Sequence, residues 1–480
     1  MQNGTLLVFI GLYLLGTLAI GWWASRRVKT TADFVVAGKK LPLFMASCAL
    51  FATWFGSETV MGASSEFAQH GLLGVIEDPF GASLCLLLVG LLIARPLYSL
   101  NLFTFNDFFR IRFNRAAEVT SAVFMVPSYF SWIAAQLVAL AIILQAICGL
   151  DREWGVLLCT SMVLIYTYIG GMWSVTITDF VQTIAIVIGL LALAIDMLWQ
   201  VGGPAKVVAA APEGFFQFFP EGKPVEMIHW LAAWMTIGLG SIPQQDVFQR
   251  VMAAKSERTS ILACYTSSLM YLSIAFLPLI IAFCGRMLYP ELVESDAQMM
   301  IPAMVLQHGS IGMQILFFGA LLSAILSTCS GAMLAPATVV GENLVRPMFK
   351  SLTDEQLLRI MRWSVVAVAI VTGAMALMRN NIYELVGESS ALSLVSLFTP
   401  LIAGLYWRRA SATGAIVSMI SGMGVWLLTL VLLPEEPAED ASIWLHIPPM
   451  LYGFAAGIAG MAVGSWWRPN RTTDAVASDM

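Results

Sequence analysis

The sequence predicts an all-α polytopic membrane protein of about thirteen transmembrane helices, with a core of two inverted five-helix repeats. Three observations carry this. Of the 480 residues, 59% are hydrophobic and 11% charged, where soluble domains carry roughly 25% charged. The apolar residues gather in uncharged runs close to the ~20 residues that cross a bilayer as a helix. Two of these runs, five spans apart, are interrupted at mid-depth by glycine and polar residues.

The first run, Thr5 to Ala24, has no basic residue before it and no small-residue cleavage pattern after it, so it reads as the first span. Hydropathy and turn residues then place spans near 5–25, 41–68, 74–98, 118–148, 153–170, 174–200, 226–242, 258–285, 298–341, 359–378, 382–407, 412–433 and 445–467. The ninth is too long for one crossing and is expected to divide into a span and a short loop-helix. With the N-terminus outside, twenty of the 25 Lys and Arg residues fall on inner loops, among them Lys29, Lys350 and Arg471. Only Arg152, Lys206, Lys223, Arg286 and Arg379 fall outside. The excess of positive charge on inner loops fixes the N-terminus out and the C-terminus in. The outer segments are 202–225 and 434–441, the second holding Glu435, Glu436, Glu439 and Asp440, and a short polar tail follows Trp467.

The composition also excludes other classes. A net charge of −5 with scattered basic residues leaves no nucleic-acid footprint. The seven cysteines sit in apolar stretches without paired spacing and read as small core residues, neither a disulfide framework nor a metal cluster. Four scattered histidines, with His229 and His308 near span ends, supply no nucleophile–base or metal-ligand spacing, so no enzyme is expected.

The breaks carry the functional reading. Ala52-Thr53-Trp54-Phe55-Gly56-Ser57-Glu58 lies at the middle of the second span, and Gly238-Leu239-Gly240-Ser241-Ile242-Pro243-Gln244-Gln245 interrupts the seventh. Unpaired backbone facing lipid costs several kcal/mol per group, so such breaks belong around a polar cavity. Each broken helix opens a five-span block, two to six and seven to eleven. The odd count turns the blocks over relative to each other, the pattern of an inverted-repeat carrier with its site at the midplane. Kinks that only adjust helix packing are the alternative. In the ninth span Ala324-Ile325-Leu326-Ser327-Thr328-Cys329-Ser330 adds adjacent hydroxyls and a carbonyl one turn earlier, hard oxygens of the kind a small cation prefers. Hydroxyls bonding back to their own helix are the alternative there.

From about residue 30 to 410 these segments resemble the sodium:solute symporter family. The resemblance rests on Thr31-Ala32-Asp33-Phe34 with Ala37-Gly38-Lys39-Lys40-Leu41-Pro42; on Tyr168-Ile169-Gly170-Gly171-Met172-Trp173-Ser174-Val175 with Thr178-Asp179 and Gln182; and on Gln249-Arg250 with Ala253-Ala254-Lys255-Ser256. It implies a LeuT-like five-plus-five core and a sodium site formed by carbonyls of Ala52, Phe55 and Ala324 with the hydroxyls of Ser327 and Thr328. Asp179 matches an acid expected along the sodium exit path; pairing with a nearby base is its alternative. The expected division is 1–40 as an extra helix and first cytoplasmic loop, 41–410 as the core, 411–467 as two further helices, and 468–480 as a cytoplasmic tail.

Within the family the chain looks most like the high-affinity choline transporter branch. Trp54 and Trp132 match two tryptophans of that branch's choline cage, and aromatic faces suit quaternary ammonium ions. Gln244 stands where the branch has a further tryptophan, which implies a solute with its own hydrogen-bonding groups. Glu58, a carboxylate just past the break, is read either as a counter-ion to a cationic solute or as hydrogen-bonded near the outer vestibule. The expectation is a sodium-coupled symporter in the cytoplasmic membrane, without a cofactor, importing a small amine-bearing solute by alternating access. A monocarboxylate or sugar carrier is the alternative, as is a membrane sensor working with a separate signalling partner.

Overall fold

Side-chain caps decide where many of the long helices begin. In the computed structural model, which describes residues 2–28, 30–222, 224–349, 351–434, 437–438 and 441–469, α1 spans Gln2–Ser25 and the broken second span supplies α2, Leu43–Phe51, and α3, Ala63–His70. Ala82–Leu88 is α4. Asn114 caps α5, Arg115–Cys148, by accepting from Ala117 N at 2.9 Å, and Gly149 ends it in a left-handed conformation. Ser256 caps α9, Glu257–Leu288; Ser310 caps α10, Ile311–Val339; and Thr353 forms a capping box with Gln356 at α11, Asp354–Met378. Each such cap contributes about 0.5–2 kcal/mol. The remaining helices are α6, Arg152–Val201; α7, Pro224–Gly240; α8, Gln245–Ala253; α12, Ile382–Ser393; α13, Ala412–Leu432; and α14, Pro449–Trp467. Among the described residues the β-type pairing is one isolated bridge, Leu41 to Ala254.

The expected elements are recovered with local differences. The expected ninth span divides at Gly309 into Met300–His308 and α10. The expected spans 153–170 and 174–200 are recovered as two helices that meet within α6 at Gly171, whose φ of 53° and ψ of −160° break the helical path. An added Cβ there would lie 2.4 Å from the Phe34 ring, so glycine is required both for the positive φ and for the contact. By length and apolar character nine helices among the described residues can cross a membrane, or ten when Pro224–Gly240 and Gln245–Ala253, bent by 49°, count as one. The difference from thirteen arises partly where expected spans run together, as in the helical path Glu58–Ser99, which turns at Gly71. Lys29, Lys223, Lys350, Arg471, Glu435, Glu436, Glu439 and Asp440 lie outside the described residues, as does the tail from residue 470.

Burial ranks the helices. The most apolar stretch of Ile311–Met348 is 89% buried and that of Gly4–Ser25 is 17% buried. Helix α10 is therefore the axis of the bundle, and α1 lies at its edge with Leu7, Val8, Leu12 and Leu15 facing outward. The cysteines are free thiols, and Cys148 alone of the seven is exposed. Two of the sequence motifs meet in space. Leu41 N donates to Ala253 O and Lys255 N to Leu41 O, both at 3.0 Å, which ties the approach to α2 to the end of α8.

Candidate functional site

The helical ladder of α2 ends at Ala52, whose N–H still reaches Cys48 O at 2.9 Å. Thr53 to Gly56 are unwound, and helical turns resume near Ser57 and Glu58. Gly56 sits where three polar side chains converge: an added Cβ would lie 2.7 Å from Gln136 Oε1, 2.7 Å from Glu58 Oε2 and 2.9 Å from Thr328 Oγ1. The backbone passes between them because glycine has no side chain to exclude it.

The second break, Ser241 to Gln244, separates α7 from α8. Helix α5 is braced against both breaks by residues on successive turns. Tyr129 Oη donates to Asp246 Oδ1 at 2.6 Å and accepts from Asp246 N at 3.0 Å, fixing the start of α8. Trp132 Nε1 donates to Glu58 Oε1 at 3.0 Å, and Gln136 Nε2 donates to Glu58 Oε2 at 2.7 Å. Gln136 Oε1 accepts from Ser57 N at 3.0 Å. Glu58 is 2% exposed, and both its oxygens are hydrogen-bonded to α5.

Trp54, Glu58, Trp132 and Gln244, the residues singled out for the solute, line one enclosed cavity between the two breaks. Its free space is about 10 Å³, roughly a single water's worth. Asp78, Tyr271, Ser241, Ser389 and Ser390 complete its polar and aromatic wall. Thr59 Oγ1 donates to Asp78 Oδ2 at 2.7 Å and lies 2.7 Å from Tyr271 Oη, which in turn reaches Trp54 O at 3.2 Å. Beside the cavity lies a wider, open one of about 750 Å³, lined in part by Glu77, Glu226, Glu384, Glu388, Trp230 and Tyr383. The two share walls, since Glu77, Thr236 and Gly387 of the wide cavity adjoin Asp78, Ile237 and Val386 of the small one.

The hydroxyl cluster of α10 lies against the first break. Thr328 Oγ1 donates to Ala52 O at 3.2 Å, and Ser327 Oγ donates to Asp179 Oδ1 at 2.5 Å. Ala52, Phe55, Ala324, Ser327 and Thr328 are all fully buried. Asp179, on the second half of α6, also faces Arg250, with Nη2 to Oδ2 at 3.7 Å. Arg250 is 1% exposed and donates from Nε to Ala49 O at 2.9 Å and from Nη1 to Asp246 O at 3.2 Å. One guanidinium thus joins α2, α6 and α8 beneath the breaks. His308 stacks on Tyr289, and His229 bonds to His446 O and lines the wide cavity.

Three residues that wall or brace the cavity escaped the sequence reading. Asp78 stands in Glu77-Asp78-Pro79, acids at the head of an apolar run, which is the signal an intramembrane carboxylate gives. Gln136 follows Trp132 by four residues, so both lie on one face of α5. Tyr271 has no signal in the sequence beyond its mid-span position.

Similarity to known proteins agrees with this architecture. The chain is 27% identical to the high-affinity choline transporter 1 of Drosophila melanogaster, over 97% of this chain and 79% of that one. It is 26% identical to the osmoregulated proline transporter OpuE of Bacillus subtilis, over 94% of each. Its fold matches that of a Na+-coupled sialic acid symporter solved in a substrate-bound outward-open state, with a TM-score of 0.81 at 19% identity, covering 98% of this chain and 99% of that one. A transporter of the nucleobase-cation-symport-1 family matches less closely, with a TM-score of 0.55 at 14% identity, covering 93% and 97%. The architecture is thus the LeuT-like fold of sodium-coupled symporters. The pattern of one family extends over residues 34–422, and the chain belongs to it: this is a member of the sodium:solute symporter family, a multi-pass membrane protein that couples transport of a small solute to sodium.

Proposed function

We propose that the chain imports a small amine-bearing cation together with sodium across the cytoplasmic membrane by alternating access. The solute sits between Trp54, Trp132, Gln244 and Glu58. Sodium is held by the carbonyls of Ala52, Phe55 and Ala324 and the hydroxyls of Ser327 and Thr328, and leaves past Asp179. The observation that carries the solute reading is the make-up of the small cavity. Glu58 and Asp78 face it, Trp54, Trp132 and Tyr271 wall it, and no Lys, Arg or His lines it among the described residues. Aromatic faces attract a cation by about 0.5–2 kcal/mol each, and the carboxyl groups supply its counter-charge. The curated relatives include carriers of choline and of proline, both of which carry nitrogen as a cation.

The loop charges support thirteen spans with the N-terminus outside, which makes the wide acidic cavity the outer antechamber and the Arg250–Asp179 pair part of the inner seal. They support the same division into an extra helix over 1–40, a core over 41–410, two helices over 411–467 and a cytoplasmic tail. With the interior negative, each co-transported charge gains about 2.3 kcal/mol per 100 mV. The test is uptake of labelled choline, ethanolamine, proline, acetate and glucose by proteoliposomes under an imposed sodium gradient. Sodium-dependent uptake of one of the amines supports the reading. Sodium-driven uptake of acetate or glucose alone overturns it.

A further inference from the structure

The small cavity holds two buried carboxyl groups in different states of satisfaction. Each oxygen of Glu58 already receives a donor from α5, Trp132 Nε1 on one and Gln136 Nε2 on the other. Asp78 is 1% exposed; Thr59 donates to its Oδ2, and the Tyr271 hydroxyl also lies against the carboxyl. Its Oδ1 has no hydrogen-bond partner. Gln244 is 2% exposed, lines the same cavity, and its Oε1 also lacks a partner. Buried acceptors without donors are uncommon in folded proteins and ask what completes them.

We infer that the solute is an amine bearing N–H groups, a primary or secondary ammonium, and that Asp78 Oδ1 accepts from it while Gln244 serves its second polar group. This rests on the cation reading above and narrows it. A quaternary ammonium satisfies the aromatic walls and the charge, but its methyl shell has no hydrogen to give, and Asp78 Oδ1 stays unpaired in the closed site. A primary ammonium has three donors in a smaller head, one of which ends at Asp78 while the others lie against Trp54 and Trp132. Thr59 holds the carboxyl through Oδ2, which leaves Oδ1 as the acceptor free for the solute.

The experiment uses the full-length protein in detergent and two methylation ladders as probes: ethanolamine through its mono- and dimethyl forms to choline, and glycine through sarcosine and dimethylglycine to trimethylglycine. Calorimetry at saturating sodium reads affinity, and sodium-dependent thermal stabilisation checks it. For wild type, affinity is expected to fall along at least one ladder, by about ten-fold or more from the N–H-bearing head to the trimethyl head. Asp78→Asn keeps an acceptor for Thr59 and is expected to flatten that ladder to within about three-fold by weakening the unmethylated end. Equal or tighter binding of choline and trimethylglycine by wild type overturns the inference without any variant. So does an Asp78→Asn protein that keeps the full ladder, or one that changes only the half-saturating sodium concentration, which would make Asp78 an ion ligand. If no member of either ladder binds and acetate or glucose does, the cation reading itself falls, a result distinct from a ladder of the wrong slope.

Discussion

Ser327 donates its hydroxyl to Asp179 Oδ1 at 2.5 Å, and the next residue, Thr328, donates to Ala52 O. Two adjacent positions of α10 therefore face two different elements, the unwound end of α2 and the second half of α6. On the proposed sodium assignment, the ion's ligand set is one hydrogen bond from the acid on its exit route. Binding and release then share a side chain, Ser327.

Thr328→Val removes one oxygen and keeps the volume. The half-saturating sodium concentration is expected to rise at least about ten-fold, consistent with roughly 1.5–3 kcal/mol for a contact to a charged group, while solute affinity at saturating sodium changes little. Thr328→Ser is expected to restore most of the loss. Titration of sodium-dependent uptake in the three proteins decides it, and an unchanged sodium dependence in the valine variant removes Thr328 from the site.

Asp179→Asn retains an acceptor for Ser327 and removes the charge opposite Arg250. Turnover is expected to fall at least about ten-fold with calorimetric binding of sodium and solute preserved, while the protein loses up to about 3–5 kcal/mol of stability from breaking one buried ion pair, Asp246 remaining near the guanidinium. Measuring uptake, binding and thermal midpoint on the same preparation separates these effects. Loss of binding in a folded protein would make Asp179 a ligand.

Trp54→Phe is expected to weaken binding of the cationic solute by about two- to ten-fold, within the ~0.5–2 kcal/mol span of cation–π contacts. Trp54→Leu should cost more. Gln244→Trp exchanges an amide for an aromatic face and is expected to shift preference toward trimethylated heads. Competition calorimetry with ethanolamine and choline reads all three. A harmless Trp54→Leu places the solute elsewhere.

Gly171→Ala adds a Cβ 2.4 Å from Phe34 at a residue with φ 53°. Strain of about 1–3 kcal/mol, from a backbone conformation that glycine alone adopts readily, joins an overpacking cost of about 1–3 kcal/mol. The thermal midpoint is expected to drop by several degrees, and Phe34→Ala in the same chain should recover part of it. A midpoint equal to wild type would show that the bend at Gly171 relaxes freely.

How much of this was legible follows from what each residue announces. A break announces itself, because Gly56, Gly240 and Pro243 interrupt apolar runs, and Trp54, Glu58 and Gln244 are found by lying beside one. Trp132 needed the family resemblance, since a tryptophan within an apolar helix has no distinctive pattern of its own. Asp78 and Tyr271 needed the structure. Their role arises where two helices distant in sequence place an acid and a phenol around one threonine, and no spacing along the chain records that meeting. The break at Gly171 was legible by contrast: the glycine pair separates the expected spans 153–170 and 174–200, and the chain turns there against the Phe34 ring.

The chain also carries its own chemical reporters. Cys329 directly follows Thr328, and Cys48 lies one turn before Ala52; both thiols are fully shielded here, while Cys148 is open to solvent. A carrier that opens to one face at a time brings water to the region of the breaks only in its open states. Alkylation of Cys48 and Cys329 by a small maleimide, followed by mass spectrometry, therefore times that opening in the unmodified protein, with the steady reaction at Cys148 as the internal clock.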